Sequence, residues 1–245
     1  MVKKKTKEFD IIFGVHSVTE VLYAKKRKIM QLYVAKTHPK AWKKIVSWVP
    51  KYVQIQYVTA NVLSRIAESS DHQGMVAYVA PFPFQKSFFD PKKSLCLLLI
   101  DGVQDPRNLG SLLRSAYCTH FDGVIMIKKG GAPLSAVAHK ASAGLAEYLA
   151  IYRAASSKEA VQLLIKAGYQ LYTAVSEGDA QSTHQIRYVT PLCVVIGGEG
   201  CGVSQDAIKK GINITLPQKR SDISYNASVA GGILLFLIAT QLRRI

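Results

Sequence analysis

The sequence predicts an α/β protein in two parts: a small N-terminal α/β domain and a larger C-terminal one built on a mostly parallel sheet. Three observations lead there. Apolar periodicity switches repeatedly between strand-like and helix-like spacing. Prolines and lysines cluster at 81–93, where no periodicity survives, so this stretch reads as a linker. Directly after it, Leu95-Cys96-Leu97-Leu98-Leu99-Ile100 is apolar at every position, as expected of a strand buried on both faces of a parallel sheet. The expected domains are therefore 8–80 and 95–245, joined by 81–94.

In the first part a helix is expected at Val15–Ala24, where Val18, Val21 and Leu22 share a face. A strand at Ile29–Ala35 follows, then a helix started by Pro39, since proline is tolerated in a first turn. Residues 53–58 alternate as a strand should, Asn61 is placed to cap a short helix, and Met75–Val79 reads as a closing strand. In the second part, after the strand at 95–100, a helix is expected at 109–117, a strand at 124–127 and a helix at 134–149. Ser156 and Glu159 have capping-box spacing for a helix to Lys166. Strands at 170–175 and 192–196 and a final helix at about 226–243 complete the alternation. Such alternation means an open sheet with helices on both faces, whose ligands bind beyond the carboxyl ends of the strands.

The formal net charge is +16, and residues 1–93 carry +11 of it. A basic excess of this size favours a polyanionic partner, nucleic acid first. The four cysteines have no metal-ligand spacing, and Cys96 and Cys193 sit in apolar runs, so a reducing cytoplasm is the expected setting. The lysine-rich first residues are not followed by a signal-peptide core, and the longest apolar stretch, 227–239, is too short to span a bilayer. The six histidines show no paired spacing, and no metal is expected. Trp42 and Trp48 read as packing residues before base-stacking platforms.

Three loops fall just after buried strands. The first, 101–110, offers Asn108 and leads into a helix carrying Arg114; the pair suits phosphate or a developing oxyanion, or else Asn108 caps and Arg114 is merely exposed. The second, Gly197-Gly198-Glu199-Gly200-Cys201-Gly202, has four glycines around one glutamate, fitting close backbone approach to a ligand or a flexible turn. It lacks the dinucleotide fingerprint and the P-loop lysine. The third, 216–228, places Ser224, Asn226 and Ser228 before the last helix, where each suffices as a cap.

Taken together and in order, these loops resemble the three signature motifs of the SpoU (TrmH-like) branch of the SPOUT RNA 2′-O-ribose methyltransferases. Asp101…Asp105-Pro106-x-Asn108-x-Gly110…Arg114 is similar to the first, Gly197-x-Glu199-Gly200-x-Gly202 to the second, and Pro217…Ser224-x-Asn226-x-Ser228 to the third. Residues 13–18 and 72–77 resemble the opening and closing segments of the L30e-like substrate-binding domain often attached to this family. The resemblance is strongest to the bacterial subfamily that methylates a guanosine ribose of 23S rRNA. The third motif departs from the family pattern at Gln218, Arg220, Tyr225 and Ala227.

The resemblance implies a trefoil-knotted α/β domain, a homodimer, and S-adenosyl-L-methionine held by backbone around Thr173, Ala174 and Val175, Ile196, Gly197 and Gly198, and Leu216, Tyr225 and Ala227. It implies Arg114 at the ribose 2′-oxygen, as base or as stabiliser, with Asn108, Glu199 and Asn226 holding the loops and Ser224 contacting substrate or arginine. RNA is the implied partner, with no membrane. Competing expectations are a tRNA ribose methyltransferase and a catalytically degenerate relative that binds RNA only; a nucleotide-binding oxidoreductase stands further off.

Overall fold

The computed structural model describes residues 9–176, 179–220 and 223–245; the lysine run at the N-terminus lies outside them. The chain divides into two compact units, one formed by residues up to 83 with Leu134–Tyr148, the other by Phe84–Pro133 with Leu149–Ile245.

The first unit runs β1 (Asp10–Phe13), α1 (Val15–Ala24), β2 (Ile29–Ala35), α2 (Trp42–Ile45), β3 (Gln54–Val58), α3 (Ala60–Ala67) and β4 (Met75–Val79). Its sheet has the order β1-β4-β2-β3, with β4 antiparallel to both neighbours and β2 parallel to β3. Val18, Val21 and Leu22 of α1 pack on Leu32, Val34, Met75 and Ala77, as the helical spacing requires. Two details differ from expectation. Pro39 opens a turn in which Trp42 N donates to Pro39 O at 2.8 Å, but α2 is one turn long and tightens into a 3₁₀ turn at Val46–Trp48. The residue preceding α3 is Thr59, in extended conformation, and Asn61 lies inside the helix.

In the second unit β5 (Cys96–Asp101) leads through α4 (Pro106–Cys118) to β6 (Gly123–Ile127). The chain then contributes α5 (Ala136–Ala141) to the first unit. It continues with β7 (Ile151–Ala154), α6 (Ser157–Ala167), β8 (Gln170–Ala174), β9 (Gln181–Ser182), β10 (Leu192–Gly197), α7 (Gln205–Lys210), β11 (Ile212–Thr215) and α8 (Ala227–Gln241). The sheet order is β7-β6-β5-β10-β8-β11-β9, and every pairing is parallel. Leu97, Leu99, Ile125, Cys193 and Val195 form its centre, beneath Val161 and Leu164 of α6. Ser156 caps α6, with Oγ accepting from Glu159 N at 3.2 Å while Glu159 reaches back to Ala155 N.

The helix expected at 134–149 is interrupted. Ser142 Oγ donates to His139 O at 2.8 Å, and Ala143 and Gly144 take φ of 53° and 82°, ending α5 before a 3₁₀ turn at Leu145–Tyr148. A Cβ on Gly144 would stand 2.9 Å from Ser17 Cα, so this position admits no larger residue. The segment brings charge into the first unit's interior. The Arg27 side chain is buried; its Nη1 donates to Asp10 Oδ2 at 2.9 Å and its Nε lies 3.4 Å from Glu147 Oε1. His139 Nδ1 lies 3.6 Å from the same oxygen. Burial pushes the Glu147 carboxyl up to about 7 against the pull of Arg27, and burial together with Arg27 drives His139 down to about 3.

Candidate active site

The parallel register decides which residues meet. Gly197 pairs with Asp101, so β10 and β5 end side by side, and the first two loops leave the sheet at one edge. Residues of β8 and β11 pair next to them, which brings the third loop, following β11, to the same edge.

Asp101 is a structural tie at this edge. Its Oδ2 accepts from Ser204 N at 2.9 Å and its Oδ1 from Ser157 Oγ, which fixes the starts of two helices. The cap of α4 is Asp105, accepting from Arg107 N at 2.8 Å with Pro106 at the first helical position. Asn108 is therefore free of capping duty. It is 8% exposed, and its Nδ2 donates to Glu199 Oε1. The same oxygen accepts from Asn226 Nδ2 at 2.6 Å. Asn226 in turn caps α8, its Oδ1 accepting from Ser228 N at 2.9 Å and Ser228 Oγ at 2.7 Å. One carboxylate thus gathers all three loops.

The glycine loop is tightly packed against its neighbours. A Cβ on Gly197 would lie 2.2 Å from Gly202 C, and one on Gly198 would lie 2.4 Å from Gly102 O. Gly198 N donates to Asp101 O at 3.1 Å and Gly202 N to Gly198 O at 2.9 Å. Backbone packs on backbone here, which leaves no room for side chains.

A cleft of about 1000 Å³ opens between these loops. Its walls include Ala174, Val175, Ile196, Gly197, Gly198, Leu216, Tyr225 and Ala227, together with Glu199, Ser224 and Asn226. Thr173 stands behind the wall, buried, with Oγ1 donating to Ala207 O at 3.3 Å. Asn108 braces Glu199 from beneath and is not a wall residue; Ser221 and Asp222 of the third loop lie outside the described residues. Arg114 is exposed on α4, also outside the cleft. Wall residues that the motifs do not mark include Asp179, Gln205 and Asn213. Asn213 and Gln205 sit on β11 and α7, elements too short to be read from periodicity.

The chemistry of the walls is selective. Among the described residues they carry two carboxylates, Asp179 and Glu199, and no lysine or arginine. Asn213 Oδ1 is buried without a hydrogen-bond partner among those residues. A cleft of this kind suits a ligand with positive charge and N–H donors, and it repels a pyrophosphate. No group of three or more metal-ligating side chains occurs among the described residues.

Outside the cleft, α4 packs on α8 through glycines: a Cβ on Gly231 would lie 2.2 Å from Leu112 Cδ2. The outer face of α8 leaves Val229, Ile233 and Phe236 exposed at helical spacing, Phe236 by 56%. No helix among the described residues is long and apolar enough to cross a membrane.

Residues 96–236 match the SpoU rRNA Methylase family, and residues 11–85 match the family described as RNA 2′-O ribose methyltransferase substrate binding. The chain is 30% identical over 251 residues to the 23S rRNA (guanosine-2′-O-)-methyltransferase RlmB of Shewanella oneidensis, covering 97% of this chain and 99% of that protein. It is 31% identical over 256 residues to an uncharacterized tRNA/rRNA methyltransferase of Mycolicibacterium vanbaalenii, covering 98% of this chain and 79% of that protein. In fold it resembles the SpoU methyltransferase AviRb of Streptomyces viridochromogenes, solved with AdoMet, at a TM-score of 0.81 and 19% identity over 96% of this chain and 91% of that one. The matched motifs lie in the three loops that Glu199 joins, and the chain belongs to the SpoU rRNA methylase family.

Proposed function

We propose that this protein transfers the methyl group of S-adenosylmethionine to a ribose 2′-hydroxyl of structured RNA, a guanosine of 23S rRNA in the first instance. The observation that carries this reading is the cleft beside the glycine loop, with two carboxylates and no cationic side chain among its described walls. S-adenosylmethionine has the matching features: a sulfonium, an ammonium and an adenine amino group. When bound it supplies an electrophilic methyl group. Backbone at Ile196–Gly198 and Leu216, with Tyr225 and Ala227, would hold it.

The chain's residues do the rest. Glu199 locks Asn108 and Asn226, so the loops keep one geometry without substrate to order them. The Arg114 guanidinium stabilises the 2′-oxygen as it loses its proton. Ser224, exposed at the cleft rim, contacts the ribose. Residues 8–80 collect RNA and 95–245 perform the transfer. The trefoil knot belongs to this reading and rests on the family match. So does a homodimer, supported by the apolar stripe Val229, Ile233 and Phe236, which would cover that face and set Arg114 beside the partner's cleft. The reducing cytoplasm, where ribosomes are assembled, is the matching compartment.

Calorimetry tests the cofactor assignment: S-adenosylmethionine and its demethylated product bind the folded protein, and NAD does not. Binding of NAD, or of neither sulfur compound, would overturn it.

A further inference from the structure

From Val21 to Ala67 the chain contains ten Lys or Arg and no Asp or Glu, although 16 acidic residues are spread over the remainder of the 245. Evenly spread, about three would fall in this window, so the stretch is not merely basic but purged of acid. Four of these cations, Lys25, Lys26, Lys28 and Lys51, fall where β2 and β3 begin, at one end of the small sheet. Lys25 ends α1 in a left-handed conformation, and the chain turns through Lys26 and Lys28 into β2. β3 runs parallel to β2 with Gln31 opposite Gln54, so Tyr52, just before β3, comes to the same end as Lys28.

Two rings beside these cations open to solvent, and Trp48 is half-buried against the core. Tyr52 is 61% exposed and Tyr23 48%. Tyr23 lies against Trp48 with ring centroids 4.4 Å apart. Lys44 Nζ sits 5.5 Å from the Trp48 ring and Lys28 Nζ 5.6 Å from the Tyr52 ring. Core packing does not explain Tyr52, whose neighbour Val53 is the residue that turns inward. Exposed rings flanked by ammonium groups have the chemistry of a stacking platform: the ring takes a base face while the lysine meets the adjoining phosphate.

We propose that Tyr52 and the Tyr23–Trp48 pair, with Lys28 and Lys44, form a docking site for unpaired nucleotides of the RNA substrate. The proposal rests on the RNA methyltransferase reading and goes beyond it by naming the RNA conformation that is held and the residues that hold it. A duplex cannot use the rings, because its base faces are already stacked. An acidic protein surface would use the lysines and leave the rings idle.

The test uses the full chain without cofactor, so its result is independent of whether S-adenosylmethionine binds. Fluorescence anisotropy compares a short unpaired oligoribonucleotide with its fully paired duplex. Tyr52→Ala is expected to weaken binding of the unpaired strand by roughly five- to a hundredfold and leave the duplex unchanged, while Tyr52→Phe retains affinity. Lys28→Gln and Lys44→Gln each lower the salt dependence of binding by about one phosphate contact. Unpaired RNA quenches the fluorescence of the wild-type chain, and Trp48→Phe removes that quench while Trp42 remains. Three results overturn the proposal: undiminished binding by Tyr52→Ala, an equal loss for duplex and single strand, or displacement of RNA by polyaspartate with no dependence on Tyr52.

Discussion

Glu199 Oε1 accepts a hydrogen bond from Asn226 Nδ2 at 2.6 Å while also accepting from Asn108 Nδ2. Residues 91 positions apart on one side and 27 on the other are joined through one atom. The other end of the Asn226 amide caps α8, so loop geometry and helix start are coupled. Glu199→Ala removes the shared acceptor and leaves two amides to find partners elsewhere. A loss of about 1–3 kcal/mol in stability is expected. Cofactor affinity should fall at least tenfold, because the cleft walls are set by the same atoms. Thermal unfolding and calorimetry on one preparation check both; full cofactor affinity in the variant would show that the loops hold themselves.

Gly198 and Gly200 are two positions apart and should respond oppositely to alanine. A Cβ on Gly198 meets Gly102 O at 2.4 Å, whereas nothing lies within 4 Å of one on Gly200. Gly198→Ala is expected to abolish cofactor binding and lower the unfolding midpoint, and Gly200→Ala to leave both near wild type. Equal behaviour of the two variants would contradict the close packing of the loops.

Arg114 lies exposed on α4, so Arg114→Ala should neither unfold the protein nor alter cofactor affinity. Turnover should fall roughly a hundredfold or more, as when one oxyanion donor is lost. Single-turnover methyl transfer measures this, and a near-normal rate would assign the role to another residue.

If the proposed dimer forms through the outer face of α8, charging that face should separate the protomers. Phe236→Glu places a carboxylate in the exposed apolar stripe and is expected to give a folded monomer by sedimentation, with turnover reduced because the proposed placement of Arg114 beside a partner's cleft is lost. A variant that sediments like the parent protein would locate the contact elsewhere.

The buried cluster of the first unit predicts a pH signature. Glu147, raised to about 7, contributes stability that is full below the usual 4.5 and lost as pH rises towards 7. His139, lowered to about 3, contributes stability present above 6.5 and lost as pH falls. The two trends oppose one another between 4.5 and 6.5. In Glu147→Gln only the histidine's remains, so unfolding free energy should fall with acid more steeply than in wild type, by about 1.4 kcal/mol per pH unit in that window. Parallel curves for the two proteins would show that the cluster does not titrate in this way.

Much of this molecule is legible in its sequence because its main elements carry strong signals. The all-apolar 95–100 stretch becomes the centre of a parallel sheet, and the spaced motif residues Asn108, Glu199 and Asn226 meet at one atom. What escapes has physical reasons. β7 and β11 have four residues each and α7 six, too few for a period to show. Asn213 and Gln205 were therefore invisible as cleft residues. Thr173 illustrates a different limit: in a strand buried on both faces, alternation does not say which face holds the ligand, and its hydroxyl turns to Ala207. The break in the helix at 134–149 comes from Ser142 bonding back to His139 O and the positive φ of Ala143 and Gly144, which helical periodicity does not reveal.

The central claim is methyl transfer to a ribose oxygen, and one measurement addresses it directly. Unmethylated 23S rRNA is incubated with the protein and methyl-labelled S-adenosylmethionine, then hydrolysed in alkali, which needs a free 2′-hydroxyl to cut the neighbouring phosphodiester. The account predicts that the label survives in alkali-resistant dinucleotides with guanosine on the 5′ side. Absence of label in RNA, or label confined to mononucleotides methylated on the base, would contradict it.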